Sequence, residues 1–489
     1  MSVKAFTVKD VAQGINTQVP SSMVTWATGR NVRFTPGYVS KTLGKTLLAT
    51  VAGSLAVRAT FTFVGTDGAV RTIVCCDSAV YAYDANMANP STITPTPAPT
   101  GGASDVWRFA LVAGLPILSN GKDAVWKWGA YNTVLTALTG APTLAKRVSS
   151  CMHRVVASNI VEGGYTYAGR VRWTEPGNPE NWVIDTTGKS GRFDIMDYNT
   201  GPEAMANIKA QIARGSKMFF FTERGLWCCD FAQATKQFIE ADPEVEILSS
   251  KALCLMNGSI YWLGKKDAFR TMEGQAVPLG LPIRDDLFDN LNASYISTAF
   301  AFPVPSKGEV WFCVATGANT VPDTAYIYNE ELKVWSIADV NFSCAGEKGL
   351  TGIPGEIVGT LAGYILQLDS GNNDYEAAAY EAVDGEIETG DLSFDLPNNM
   401  KRISEVIPDL AVQTLASELM VQVGVRNRLA DDIKWSDPVA FTIGASERCD
   451  FNGFRKEGKW VRIRFYSDQK DAPWKLAGFT ILYEQGGTR

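Results

Sequence analysis

The chain has 489 residues, a hydrophobic fraction of 46%, a mean hydropathy of −0.04 and a formal net charge of −7, so it can bury a large core as one to three domains. No apolar run approaches the roughly 18 residues of a membrane helix, and the lone His153 leaves multi-histidine metal sites and histidine triads without their second ring. Nine cysteines, an odd number, include the neighbours Cys75-Cys76 and Cys228-Cys229, which would face opposite sides of any strand; they read as reduced thiols of a protein made in a reducing compartment.

In chain order, Met1 to Asp10 carries Lys4 and Lys9 but no apolar core before a small-residue cleavage site, which predicts no signal peptide. Residues 69 to 84 form two apolar runs about Asp77-Ser78, a hairpin pattern. A Pro/Thr-rich loop covers Pro90 to Ser104, and further two- or three-strand units follow at Val106 to Ala130, Ile208 to Phe231, Ala252 to Gly274 and Glu309 to Asp339. The units recur every 35 to 55 residues or so and end on an aromatic: Tyr81, Trp126, Trp173, Trp227, Trp262 and Trp311. A four-stranded propeller blade takes about 40 to 50 residues. The fold expected is therefore all-β, a degenerate β-propeller-like body, with Arg284 to Ile296 as its best helical candidate.

Between these units, Arg170 to Trp182 (RVRWTEPGNPENW) alternates as a half-buried strand and then breaks at two prolines and Gly177. With Trp173 and Trp182 on either side of a rigid turn and no acid, base or nucleophile arranged for chemistry, it reads as an architectural unit. Residues 351 to 400 hold ten carboxylates and no Lys or Arg, so nearly all the net acidity lies there. That block is either a solvated surface or a field that repels an anionic partner. Alternation resumes after Leu396, and in KWVRIRFYS the residues Val461, Ile463 and Phe465 face away from Arg462 and Arg464. A C-terminal β-sandwich is expected over 396–489, after a channel domain at 46–395 and an N-terminal docking segment at 1–45 that contributes to the β body.

Candidate chemistry is sparse. Thr186 to Gly191 contains Gly-Lys-Ser, but Val183 stands where a P-loop needs its first glycine. Asp369 to Glu376 offers oxygen ligands yet places Gly371 at a ligand position of a calcium loop. The pairs Asp285/Asp286 and Asp431/Asp432 could serve a glycosidase only if strand geometry did not point adjacent residues apart. No catalytic residue, metal site or cofactor is expected.

Gly14 to Gly44 (GINTQVPSSMVTWATGRNVRFTPGYVSKTLG) resembles the opening of the tail hub or nozzle proteins of short-tailed bacteriophages, a group that includes packaged-DNA stabilisation proteins. The matching positions are Gly14, Asn16, Thr17, Trp26, Arg30, Asn31, Val32, Arg33, Phe34, Gly37 and Lys41. Trp173, Gly177, Pro179 and Trp182 are similar to that group's Trp-Ser/Thr-x-x-Gly-Asp/Asn-Pro-x-x-Trp turn, and Val423 to Gly444 looks like its terminal sandwich. The resemblance implies a virion tail protein, most simply a hexamer below the portal and adaptor. It would contact the adaptor and fibre or spike proteins, hold packaged double-stranded DNA and conduct it at ejection, without spanning a membrane. Asp374, Glu376, Glu381, Asp384, Glu386 and Glu388 are then candidates to line the channel. The competing expectation is a propeller-type glycosidase or depolymerase acting on host-surface polysaccharide.

Overall fold

The computed structural model describes residues 3–18, 26–197, 204–280, 282–348, 356–411 and 417–488. It is an all-β, propeller-like structure, 51% strand and 4% helix, as the alternating sequence requires. The one α-helix among the described residues, Arg284–Asn290, begins where the helical candidate does and is followed by a 3₁₀ turn at Ala293–Thr298.

Seven mainly antiparallel sheets succeed one another. The first comprises Val57–Val64, Val70–Cys76, Val80–Tyr83 and Ser91–Thr92. The second comprises Arg108–Val112, Leu115–Ser119, Trp126–Lys127 and Thr136–Ala137, and the third Leu144–Cys151, Arg154–Glu162, Tyr165–Trp173 and Gly191–Asp194. In the fourth are Ala210–Arg214, Lys217–Phe221, Leu226–Asp230 and Phe238–Asp242; in the fifth, Leu253–Met256, Ser259–Leu263, Ala268–Thr271 and Val277–Pro278. The sixth comprises Phe300–Val304, Glu309–Val314, Thr324–Asn329 and Val334–Asp339. Short turns make each sheet a local meander, which is why the hairpin patterns of the sequence locate them.

The seventh sheet is assembled from both ends of this succession. Its strands Cys344–Ala345, Glu356–Gly359 and Tyr364–Leu368 accept Lys45–Thr50 from the N-terminal region, and Asn373–Glu376 and Ala379–Ala382 extend its outer edge. Glu347–Lys348 pairs in parallel with Val57–Val64 of the first sheet. An apolar cluster of Val57, Val74, Cys76, Cys344 and Ile365 joins the seventh sheet to the first. Comparable clusters join the second to the first and third, and the fourth to the third and fifth. The sixth shares clusters with the fifth and seventh. Each sheet is open, and their succession returns on itself. The leading strands of neighbouring sheets lie against one another, Arg108–Val112 on Leu144–Cys151 and Leu144–Cys151 on Ala210–Arg214, for example, so the first strand of each sheet is the one nearest the axis.

Two six-stranded sheets form a sandwich beside this body. One runs Val32–Thr35, Tyr38–Lys41, Lys475–Thr488, Asn399–Leu410, Cys449–Asp450, with Val3–Val8 also on Lys475–Thr488. The other runs Trp26–Arg30, Gly385–Thr389, Trp460–Ser467, Glu418–Arg426, Lys434–Trp435, with Val439–Thr442 also on Glu418–Arg426. Val461, Ile463 and Phe465 are fully buried between the sheets, while Arg462 and Arg464 point away to carboxylates, as the alternation predicts.

Strand pairing departs from the expected boundaries at both ends. Gly385–Thr389, assigned by sequence to the channel domain, lies in the sandwich, because Ile387 completes the apolar row that faces its core. The sandwich is not built from the C-terminal residues alone, since four strands between Val3 and Lys41 belong to it. Nor do the recurring aromatics hold equivalent places: Tyr81, Trp126, Trp173 and Trp227 lie on third strands, Trp262 and Trp311 on second strands.

Near the start of Asn399–Leu410 the buried Lys401 amine donates to the carbonyls of Leu396 (2.7 Å), Asn399 (3.0 Å) and Lys459 (2.6 Å), tying the connector after the acidic block to the start of Trp460–Ser467. Burial, and then Lys459, push this amine down to about 8. Ile365 is fully buried where the seventh sheet meets the first, whereas Val277 is 47% exposed on an outer strand. Ile365→Ala is expected to cost about 2–5 kcal/mol and Val277→Ala less than about 0.5 kcal/mol in chemical-denaturation midpoints. Equal effects would mean that the ring of sheets does not depend on that closing contact.

Candidate functional site: the junction of propeller and sandwich

Residues 11–18 and 26–41 contact both parts. Gly14 has φ +73°, and a Cβ there would meet the Val334 Cβ at 2.6 Å, so glycine is required both by conformation and by close approach to the sixth sheet. The next residue, Ile15, donates its N–H to Trp335 O at 2.9 Å, and Thr17 donates to Pro282 O at 3.0 Å. Asn16 caps the local turn by accepting from the Gln18 N–H at 3.0 Å. The Trp26 indole N–H donates to Val11 O at 2.8 Å while its ring packs on Phe465 and Phe479 of the sandwich core.

The Arg-Asn-Val-Arg-Phe core alternates between the two bodies. Val32 and Phe34 are buried in the sandwich, which turns Arg33 the other way. Its guanidinium makes a two-pronged contact with Glu309 of the sixth sheet (2.7 and 3.1 Å) and reaches Asp369, just past the seventh sheet's Tyr364–Leu368 strand, at 2.7 Å. Burial lowers the Arg33 pKa, but Glu309 and Asp369 more than offset this and leave it raised. Arg30 pairs with Asp339 at 2.5 Å and donates to Thr324 Oγ1 at 3.1 Å. Asn31, at φ +53°, donates to Asp339 Oδ2 (2.7 Å) and to Asp384 O (2.8 Å), and accepts the Asp339 N–H at 2.7 Å. Asparagine tolerates that left-handed backbone, and its amide satisfies both a donor and two acceptors across the junction. Gly37, at φ +88°, supplies the turn between Val32–Thr35 and Tyr38–Lys41. Lys41 is buried against Gly385, and its amine donates to Gln469 O at 3.3 Å. Burial lowers its pKa despite the nearby carboxylates of Asp384, Asp468, Asp374 and Asp471.

The Trp173–Trp182 turn is a separate clip. Trp173 packs edge-on against Phe231 of the fourth sheet, and Trp182 lies in the cluster between the second and third sheets. Gly177, at φ +73°, donates its N–H to His153 O at 2.7 Å, Pro179 is buried, and Arg172 donates to Trp182 O. The two indoles therefore brace the third sheet from both sides, and His153 contributes its backbone carbonyl at an exposed hairpin tip. This turn is distant in sequence and in sheet order from the N-terminal motif.

The acidic candidates divide by partner. Asp374 pairs with Lys45 at 2.7 Å, Glu381 with Lys470 at 3.0 Å, Glu388 with Arg462 at 2.5 Å, and Glu386 with Arg464. Asp391, 0% exposed at its side chain, takes both Arg426 and Arg462. Among the described residues Glu376 and Asp384 have no ion pair; partial burial and then Asp468 push the Asp384 carboxyl up. Asp374, Glu376 and Glu381 lie at the outer edge of the seventh sheet, and Glu386 and Glu388 lie in the sandwich, so none of these five is on an axis-proximal strand.

All nine cysteines are free thiols, eight of them buried. Burial pushes Cys76, Cys151, Cys229 and Cys449 up to about 12, which keeps them protonated and unreactive at neutral pH. A groove of about 440 Å³ between the fourth and fifth sheets is lined by Asp242, Glu244, Glu246, Lys265, Lys266 and Trp262, with Lys265 and Glu246 paired at 3.2 Å. Among the described residues no group of three or more metal-ligating side chains occurs, and no helix is long and apolar enough to cross a membrane.

No family model matches the chain, and no curated protein matches it. Among solved structures, the computationally designed Ika8 protein is similar at 12% identity and a TM-score of 0.38, over 73% of this chain and 99% of its own. YCF48 bound to D1 peptide is similar at 8% identity and a TM-score of 0.41, over 70% of this chain and 97% of its own.

The Arg33 junction yields a direct test. Removing only the guanidinium strands Glu309, which is 3% exposed at its side chain, so Arg33→Met should cost about 3–5 kcal/mol. Adding Glu309→Gln and Asp369→Asn should recover much of that in urea denaturation. A triple variant no better than Arg33→Met would show that packing, not charge pairing, holds the junction.

Proposed function

We propose that the chain is a structural subunit of a short-tailed bacteriophage tail, a nozzle or hub that forms a hexameric ring below the portal and adaptor, retains packaged DNA and conducts it during ejection. The observation that carries this reading is the use of the N-terminal motif. Of the residues that match the family's opening, Gly14, Arg30, Asn31 and Arg33 reach the propeller, while Trp26 and Phe34 anchor the same strands in the sandwich core. A motif with such demanding local roles points to the same kind of molecule. In this reading the chain is not an enzyme, binds adaptor and fibre or spike proteins, and is made in the host cytoplasm before joining the virion. Electron microscopy of the tail should find six copies in one ring, and hydrolysis of host polysaccharide by the purified chain would favour the depolymerase instead.

A DNA path bordered by the acidic segment runs between subunits in this assembly, because those residues lie on the outer edge of the seventh sheet and in the sandwich. Neutralised pairs contribute little field, which leaves Glu376 and Asp384 as the effective charges, with a reach of about 8 Å at physiological salt. Glu376→Lys with Asp384→Lys should slow DNA release from assembled particles, more at low salt than at high. Release at the parental rate at low ionic strength would leave the segment as solvated surface.

A further inference from the structure

Four cations from different sheets converge near the propeller axis. Arg108, on the leading strand of the second sheet, crosses to donate to Ser250 O at 2.5 Å, beside the fifth sheet. The adjacent residue, Lys251, bridges to Phe300 at the start of the sixth sheet. Arg147, on the leading strand of the third sheet, donates through Nε to Lys209 O (2.6 Å) and through Nη1 to Lys146 O (2.7 Å), which fixes its guanidinium plane. Arg58, on the leading strand of the first sheet, is held by both oxygens of Asp77 at 2.8 and 2.9 Å.

Compensation is uneven among them. Arg58 has its carboxylate, and both Arg108 and Glu356 of the seventh sheet are engaged in further interactions. Arg147 and Lys251 have no ion pair among the described residues, and the Lys251 amine makes no hydrogen bond there. Burial, and after it Arg108, pulls Lys251 down to about 8; burial and then Arg108 also lower Arg147. Like charges gathered in a confined place without counter-charge are unfavourable for the protein alone. They become favourable once an oxyanion joins them, because charge-assisted bonds to guanidinium and ammonium are strong and directional.

We propose that Arg147 and Lys251, with Arg108 beside them, form an axial binding site for a tetrahedral oxyanion, a phosphate group either free or terminal on a nucleotide. The guanidinium of Arg147, already oriented by two carbonyls, presents its remaining N–H groups, and Lys251 supplies a movable ammonium. The site is independent of any role in a tail. It joins the leading strands of the second and third sheets to the segment just before the fifth, so its occupant would brace the ring from within.

Inorganic phosphate is the probe, compared with chloride at equal ionic strength on the full chain by calorimetry and thermal melting. Phosphate should bind at sub-millimolar concentration and raise Tm by several degrees through mass action. In Arg147→Met/Lys251→Met that shift should vanish, while the variant without phosphate melts at or above the parent, since uncompensated charge has been removed. Should the double variant misfold, Lys251→Gln alone should weaken phosphate at least tenfold, with Lys333→Met, on an exposed turn, as the unchanged control. Competition by a 5′-phosphorylated trinucleotide but not its dephosphorylated form identifies a terminal phosphate; competition by neither identifies the free ion. Equal stabilisation by chloride, or a phosphate shift that survives both Lys251→Gln and the double variant, overturns the site.

Discussion

The buried contact of Arg33 with Glu309 and Asp369 is the interaction on which the arrangement of the two bodies depends. Glu309 belongs to the sixth sheet of the propeller and Asp369 directly follows a strand of the seventh, while the backbone of Arg33 belongs to the sandwich. A charge placed there without both partners would carry a desolvation penalty of several kcal/mol. The pairing therefore acts as a registry device: it is satisfied in one orientation of sandwich on propeller and is costly in others. Arg30 and Asn31 add to that selectivity at Asp339 by hydrogen bonds that an approach shifted by one strand residue would lose.

This device imposes an order on folding. The meanders of the first six sheets need only neighbours in sequence, whereas Arg33 and Glu309 are separated by 276 residues, and the strand Lys45–Thr50 must wait for Tyr364–Leu368. Loop closure over such separations is slow compared with hairpin formation. The strands up to Lys45–Thr50 are consequently expected to be placed after the meanders. Until then their apolar faces and unpaired strand edges are exposed, which is a reason for the charged groups among them, Arg30, Arg33, Lys41 and Lys45, to be matched only in the finished fold.

What was legible in the sequence follows from the same division. Alternation and turn residues reveal a hairpin wherever both strands lie in one short stretch, so the meanders, the short helix and the alternating run through Val461 and Phe465 were readable. The parts closed by distant pairing were not. Gly385–Thr389 looks like the end of an acidic loop because its partner Trp460–Ser467 lies about seventy residues on. Likewise, nothing in the local pattern of Arg33 names Glu309, and the convergence of Arg108, Arg147 and Lys251 depends on three sheets meeting at one axis. The aromatics were visible as a rhythm, but a change from third to second strand at Trp262 has no signature in spacing.

Charge is where composition and structure diverge most, and the divergence has one cause. A block with ten carboxylates and no cation reads as a repelling surface only if its counter-charges are sought nearby in sequence. Strand pairing instead sets Glu388 opposite Arg464 and Glu386 opposite Tyr466, so that Glu386 reaches Arg464 and Glu388 reaches Arg462 diagonally, while Lys45 arrives from the other end of the chain to meet Asp374. The acidity is thereby used within the sandwich and within the seventh sheet, and Glu381 with Lys470 links the two. Besides Glu376 and Asp384, the described residues leave Arg147 and Lys251 without an ion pair, Arg147 on a leading strand of the propeller and Lys251 just before another. Net charge, in this chain, describes the ends of the pairing network and says little about the field at any one place on the folded surface.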